Sequence, residues 1–235
     1  MGRVTGALVG ALLALTLAGC GAPPSGGARP EPEPAAADVR ARLAAALSEE
    51  SEHYAAMVED PATTVTLVEA TWLTRWQVFD VLWRGPYHPQ RFYAALSDDD
   101  TVLVLSGHPE AFAQMTANAQ VQVDDASVAV DIAVFYLDTT RSFQAYSYRI
   151  DSVSDISWLP HPDAGEQQRR TEVETQYGPL VAPPAAEPSE DGWTVTVWMV
   201  DDRTLVRHQL EIAPDGAVGI TSDIVETDIP VPYSI

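Results

Sequence analysis

The spacing of apolar residues predicts helices and strands in the first half of the chain. Val39, Leu43 and Leu47 recur at four-residue steps after Asp38, which predicts one helix that runs from Asp38 to Pro61. β-Branched and aromatic residues then predict strands over residues 63–71 and 75–83. Residues 91–96 and 101–105 flank three consecutive aspartates and form a predicted hairpin.

Helical patterns dominate the middle of the chain. Residues 109–117 form a predicted short helix with Pro109 at its start. Residues 126–138 are predicted as a helix despite their valines, because the apolar positions share one side and Asp124 and Asp125 precede them as caps. Residues 142–150 are predicted as a strand, and the polar stretch 163–177 as an exposed helix.

The last fifth of the chain predicts a three-stranded meander over residues 193–200, 205–212 and 217–225. Asp215 and Gly216 supply the turn between its last two strands. Alternation indicates that Trp193 to Met199 present one apolar face and that Val218, Ile220 and Ile224 present another. The predicted fold class is therefore α+β, an antiparallel sheet with packed helices.

The first nineteen residues have the pattern of an export signal. One positive charge, Arg3, precedes an uncharged apolar run over residues 4–17. As a helix this run would reach about 21 Å, which is short of the roughly 30 Å hydrocarbon core of a bilayer. It is therefore a poor permanent membrane span.

The signal closes with Leu17-Ala18-Gly19-Cys20, and Cys20 is the only cysteine of the chain. This box resembles the lipobox of bacterial lipoproteins, and the resemblance covers residues 1–20 alone. It implies that a signal peptidase cuts before Cys20, that the Cys20 sulfur carries a diacylglycerol, and that the new amino terminus is acylated. An ordinary secretory signal with a chance cysteine is the alternative. Two or three acyl chains would hold the protein durably at a membrane.

Composition separates a spacer from a folded domain. Residues 20–35 are rich in proline and glycine and contain no large apolar side chain, which is typical of an extended linker. Residues 36–235 are long and apolar enough to form one acidic domain. The proline-rich segment 178–191 is interpreted as a surface connection, with a boundary between two lobes as the alternative.

Charge excludes several classes of partner. The formal net charge is −21, and all thirteen basic residues are arginines. A negative field repels phosphate backbones and anionic lipid headgroups, so we expect no nucleic-acid partner and attachment to the membrane through lipid on Cys20. With one cysteine there is no disulfide, so the domain depends on its hydrophobic core.

Known catalytic and metal-binding patterns are not found in the sequence. HExxH, G-x-S-x-G and a phosphate-binding glycine loop are all missing, so we expect no cofactor, no metal and no assigned catalytic residue. The loop 161–166 and the aspartate groups at 98–100, 124–125 and 201–202 are interpreted as turns and caps rather than metal ligands. Glycoside hydrolysis needs only two suitably placed carboxylates, and 34 acidic residues leave that alternative open.

One stretch, residues 71–93, combines aromatic residues with arginines and is the candidate ligand-binding segment. Its candidate residues are Trp72, Trp76, Trp83, Arg84 and Tyr87. Ordinary sheet core with arginines at its rim is the favoured interpretation, and a binding surface is the alternative.

Together these patterns predict a lipoprotein on the extracytoplasmic side of the cell membrane that binds a ligand or an envelope protein partner without catalysis. A cell-envelope hydrolase acting on polysaccharide is the main alternative. A chaperone for lipidic cargo is a third hypothesis, and it requires a closed apolar cavity.

Overall fold

The computed structural model describes residues 35–86, 88–144 and 146–232. The predicted signal peptide, the lipobox with Cys20, and linker residues 20–34 lie outside the described residues, as does Tyr87. The predicted α+β fold class is confirmed, with two antiparallel sheets and packed helices. All described residues belong to one compact unit.

The helices are α1 (Ala37–Glu50), α2 (Glu52–Glu59), α3 (Pro109–Ala119), α4 (Ala126–Thr140) and α5 (Ala164–Tyr177). The strands are β1 (Thr63–Val68), β2 (Trp76–Trp83), β3 (Gln90–Ser97), β4 (Val102–Val104), β5 (Ser147–Ile150), β6 (Ala185–Ser189), β7 (Gly192–Asp201), β8 (Thr204–Ile212) and β9 (Val218–Glu226). Sheet 1 has the order β1-β2-β3-β4. Sheet 2 has the order β5-β7-β8-β9, and β6 pairs with β7 beside β5.

The prediction of a single helix between Asp38 and Pro61 is wrong in one respect, because the segment forms two helices. Ser51 has extended backbone angles, with φ −159° and ψ 109°, and its hydroxyl accepts a hydrogen bond from the Tyr54 amide. A serine in this geometry caps a new helix rather than continuing the old one. The chain therefore turns at Ser51, and α1 and α2 both pack on sheet 1.

The valine-rich helix over 126–138 is confirmed as α4. Asp125 caps it, since one carboxylate oxygen accepts hydrogen bonds from the amides of Ser127 at 2.8 Å and Val128 at 3.0 Å. Ala129, Ile132 and Ala133 are buried on this helix between the two sheets. The apolar face and the cap together outweigh the low helix propensity of valine.

The C-terminal meander is confirmed as β7, β8 and β9, but the predicted assignment of its faces is wrong. Val195 pairs with Leu210, and Leu210 pairs with Ile220. Directly paired residues of neighbouring strands point to the same face of a sheet. The apolar residues of β7 and the isoleucines of β9 therefore share one face, which also packs against α4 farther along the sheet.

Two other segments differ from the prediction. The strand predicted over 142–150 is only β5, residues 147–150, because residues 143 and 144 form a turn. The proline-rich segment 178–191 contains β6, whose Pro188 pairs with Trp193. Proline is tolerated there because β6 is hydrogen-bonded on one side only, and the other side needs no donor.

Helices and sheets alternate in layers. α1 and α2 cover the outer face of sheet 1. α3 and α4 fill the space between the two sheets, in a cluster that includes Val78 and Ala95 of sheet 1 and Val195 and Val197 of sheet 2. α5 and residues near the C-terminus cover the outer face of sheet 2 around Trp198.

The chain uses one structural plan twice. In the first half, α1 and α2 precede the four-stranded meander β1–β4; in the second half, α5 precedes the meander β6–β9. In each half the preceding helix covers the outer face of the meander that follows it. The layer of α3 and α4 is shared by both.

Candidate functional site

The described candidate residues of segment 71–93 do not form one surface. Trp72 packs edge-on against Phe135, with ring centroids 5.3 Å apart, and Trp76 is buried in the same cluster between the sheets. Trp83 packs on the opposite face of sheet 1, where its indole N–H donates to Asp60 at 2.9 Å. The two faces are separated by the sheet itself.

Arg84 follows β2, and its Nη1 donates to the Thr64 hydroxyl at 2.9 Å across the β1–β2 pair. The contacts of Trp72, Trp76, Trp83 and Arg84 are thus those of sheet packing and of its rim. Tyr87, the fifth candidate, lies outside the described residues. Whether any of the five touches a ligand stays a prediction.

The aspartate groups act in turns and caps, as the sequence predicts. Asp163 and Glu166 form a reciprocal capping box at the start of α5, with both hydrogen bonds at 2.8 Å. Asp100 and Asp202 adopt left-handed backbone angles in tight turns, with φ 62° and 49°. Within the described ranges no group of three or more histidine, cysteine, aspartate or glutamate side chains could hold a metal ion.

An arginine–aspartate pair that the sequence analysis did not single out joins β2 to β3. Nε and Nη2 of Arg91 each donate to a carboxylate oxygen of Asp80 at 2.7 Å, and Nη2 also donates to the Tyr93 hydroxyl at 2.9 Å. The guanidinium lies 5.3 Å from the centroid of the Phe143 ring. Both oxygens of Asp80 are therefore engaged in an ion pair that joins neighbouring strands.

The end of α4 adds a second carboxylate to this region. Burial raises the pKa of Asp138, and the charges of Arg141, Arg149 and Arg91 oppose that rise. Arg141 lies over the Phe143 ring at 4.9 Å, and its Nη1 donates to the Ser147 carbonyl. We call Asp80, Arg91, Tyr93, Asp138, Arg141 and Phe143 the arginine junction. It holds the loop after α4 against sheet 1.

A different region of the molecule is left uncovered. Ile220, Ser222 and Ile224 alternate along β9, so they point to one face, and Ile220 and Ile224 are 43% and 66% exposed. α4 covers this face of sheet 2 over β6, β7 and β8. We call these three residues, together with His208 beside Ser222, the β9 surface.

His208 and Ser222 lie directly opposite each other in the β8–β9 pair, and His208 Nδ1 is 2.8 Å from Ser222 Oγ. A serine nucleophile needs a histidine that a third group orients and that can accept its proton. Burial lowers the pKa of His208, and among the described residues Ser222 is the only side-chain hydrogen-bond partner of its ring. The pair is therefore a hydrogen-bonded cross-strand contact without the third member of a triad.

The outer edge of β9 is also free, since no described strand pairs with it. A free edge presents backbone N–H and C=O groups that can pair with another strand. Near one end the pairing of β9 with β8 is irregular at Val225, and the Val225 carbonyl accepts a hydrogen bond from the Tyr177 hydroxyl at 2.6 Å. Residues 218–224 remain, and this free edge adjoins the exposed isoleucines.

The sequence predicts which residues of β8 and β9 lie opposite each other, but it does not predict how exposed they are. The predicted turn at Asp215-Gly216 sets the register that pairs His208 with Ser222. The exposure of Ile220 and Ile224 depends on where α4 ends its contact with the sheet, and no local pattern carries that information.

Comparisons with known proteins give no match: no family model matches the chain, and no curated protein or solved structure is significantly similar to it. In the part of the chain that the structure describes, every helix is too short or too polar to cross a membrane.

Proposed function

We propose that this chain is an exported lipoprotein of the cell envelope whose folded domain binds a protein partner, without catalysis, through the β9 surface and its free edge. The observation that carries the binding role is the combination of two exposed isoleucines with an unpaired strand edge on the same element. Exposed apolar groups beside free backbone donors and acceptors are typical of strand-mediated protein interfaces.

The anchor in this proposal is Cys20. The apolar run, the small residues Ala18 and Gly19, and the proline-rich spacer support it. Removing residues 1–19 removes only Arg3 among charged residues, so the mature protein would have a formal charge of −22. Lipid, rather than surface charge, then holds the protein on the extracytoplasmic side of the cell membrane.

The contacts of the carboxylates favour binding over hydrolysis. A glycosidase needs two free carboxyl groups on either side of a substrate cleft. Of the two carboxylates in the arginine junction, Asp80 is held by two hydrogen bonds to Arg91. The exposed acidic residues that cap helices are likewise engaged by backbone amides.

The anchor is tested by mass spectrometry of the protein purified from its own membrane. We expect the first peptide to begin at Cys20 and to carry a diacylglycerol on sulfur. A protein that retains Met1, or whose amino terminus lies elsewhere and lacks lipid, would contradict the anchor.

The binding role is tested with a photo-crosslinking amino acid placed at Ile224 of the lipidated protein in its own membrane. Thr171, an exposed residue of α5, is the matched control position. We expect a defined protein adduct from position 224 and none from position 171. Equal adducts at both positions, or none at 224, would contradict the proposal. Release of sugar fragments from envelope polysaccharide by the purified protein would replace it with the hydrolase alternative.

A further inference from the structure

The outer edges of the sheets differ in how they are protected against pairing. The Val65 carbonyl of β1 accepts a hydrogen bond from the Ala35 amide at 2.8 Å. β4 and β5 have only three and four residues, and β6 contains Pro188. Short strands and prolines are the usual protection of sheet edges. β9 has nine residues and no proline, so it is the exception among the described edge strands.

The sequence of β9 is complementary to itself. Residues Ile220 to Ile224 read Ile-Thr-Ser-Asp-Ile, with the two isoleucines placed symmetrically about Ser222. If two copies of β9 pair antiparallel with Ser222 opposite Ser222, Ile220 of each copy lies opposite Ile224 of the other. A two-fold interface requires this reciprocity, in which residue i meets j and j meets i.

We infer that the strand which pairs with β9 is β9 of a second copy of this chain, in antiparallel register centred on Ser222. This inference rests on the proposed function, because it identifies the partner of the same surface. The four isoleucines of two copies then form one apolar cluster across the two-fold axis. The same strand pairing that joins the free backbone groups of the two β9 edges also covers the exposed isoleucine side chains.

Charge on the opposite face of β9 does not forbid this register. Thr221 of one copy lies opposite Asp223 of the other, so no aspartate faces an aspartate directly. Each Asp223 is already paired with Arg207 of its own copy, with Nη2 2.8 Å from the carboxylate. Like charges directly opposite would be destabilising, and the register avoids them.

The contact between two β9 strands is small, so it needs a high local concentration of the protein to form. In this register residues 218 and 219 of one copy lie opposite Glu226 and Val225 of the other, which Arg169 and Tyr177 already bind, so five residues of each strand, 220–224, can pair. A contact limited to five residues of each strand is small for a stable protein interface, which typically buries more than roughly 1,000 Å². Anchoring both copies in one membrane raises their effective concentration, which allows a weak contact to be populated.

The test uses cysteine crosslinking of the lipidated protein in its own membrane. Cys20 is the only native cysteine and is acylated in the proposed mature protein, so an introduced cysteine is its sole free thiol. Ser222→Cys places two thiols opposite each other at a Cα separation of about 4.5–5.5 Å, which a disulfide can bridge. We expect disulfide-linked dimers from this variant on mild oxidation.

Two variants test the register. Thr221→Cys and Asp223→Cys each place their own thiols on a diagonal, about 7–8 Å apart, where a disulfide forms poorly. Each alone is expected to give roughly tenfold less dimer than Ser222→Cys, while co-expression of the two brings them opposite each other and restores the dimer. Because residues 221 and 222 are exposed, their substitution leaves the core intact.

The outcomes separate this inference from the proposed function. No dimer from Ser222→Cys together with a Ile224 photo-adduct to a different protein would overturn self-pairing and leave the binding role standing. No adduct and no dimer would overturn both. Equal dimer yields from Ser222→Cys and Thr221→Cys alone would show random collision rather than a register, and would overturn self-pairing.

Discussion

Sheet 1 and sheet 2 are built on the same plan, but helices cover the faces of sheet 1 more completely than those of sheet 2. In sheet 1, six consecutive residues of β3, from Phe92 to Ser97, are buried, because helices pack on both faces. In sheet 2, helical cover stops short of the last strand, so β9 has no fully buried residue. The plan itself therefore does not require an exposed strand.

This difference assigns stability and binding to different parts of one chain. Helices pack on both faces of sheet 1, and Leu67 of the edge strand β1 is its one large apolar side chain left exposed among the described residues, at 42%. Sheet 2 keeps its stability in β7 and β8, where Val195, Val197 and Leu210 are fully buried. β9 is then available for interaction at little cost to the fold.

The largest effect is expected in the core of sheet 1. Phe79 is 1% exposed and packs beneath α1 and α2. Phe79→Ala removes an aromatic ring from a fully packed site and is expected to lower the free energy of unfolding by about 3–5 kcal/mol. Leu180→Ala, at a residue that is 58% exposed, is the control and should cost less than about 0.5 kcal/mol. Chemical denaturation of both variants measures the difference, and similar losses would contradict the layered core.

The second effect compares a cross-strand ion pair from each sheet. Arg91 and Asp80 share two hydrogen bonds, and their side chains are 36% and 22% exposed. Arg207 and Asp223 share one hydrogen bond and are 41% and 45% exposed. Arg91→Ala leaves a half-buried carboxylate unpaired and should lower the free energy of unfolding by about 2 kcal/mol. Arg207→Ala should lower it by at most about 1 kcal/mol, because exposed pairs are weak. Thermal unfolding of the two variants measures the difference.

Arg91→Lys separates the contribution of hydrogen-bond geometry from that of charge. Lysine keeps the positive charge but cannot donate two parallel hydrogen bonds to one carboxylate. We expect it to recover only part of the stability that Arg91→Ala loses. Full recovery in thermal unfolding would show that charge alone holds β2 to β3.

The third effect concerns α4, the helix that both sheets share. Burial raises the pKa of Asp138 above its ordinary value of 3.8. A raised folded-state pKa favours the folded protein below pH 3.8, and that contribution is lost as pH rises through the folded-state value. Asp138→Asn cannot ionise, so it should be more stable than the original chain at pH 7, with a difference that shrinks toward pH 3. Urea denaturation at the two pH values tests this, and a constant or reversed difference would contradict it.

Strongly patterned elements could be predicted from the sequence, and interrupted ones could not. α4 was predictable because its apolar face and Asp125 cap are local features. The break at Ser51 is not predictable from the apolar spacing, which continues across it, so only the serine marks the new helix. β6 is not predictable because proline is typical of loops, although an edge strand tolerates Pro188.

The functional residues show a similar limit. The aromatic residues of segment 71–93 are adjacent in sequence, but alternation along β2 sends Trp76 and Trp83 to opposite faces. Arg91 and Asp80 meet only after β2 and β3 pair, and Asp138 approaches them from a helix 58 residues farther along the chain than Asp80. Charge pairing between distant segments depends on tertiary packing, which no local spacing encodes.

The smallest expected change in stability is at Ile224, and it gives the sharpest test of the comparison between the sheets. Ile224→Thr keeps a β-branched side chain in the strand but removes much of the apolar surface at a position that is 66% exposed. The free energy of unfolding should change by less than about 0.5 kcal/mol. Ile212 lies in β8 on the same face of sheet 2 but is only 1% exposed. Ile212→Thr buries a hydroxyl and should lower the free energy of unfolding several times more. If Ile224→Thr is instead as destabilising as Ile212→Thr, β9 belongs to the core of sheet 2, and the separation of binding from stability fails.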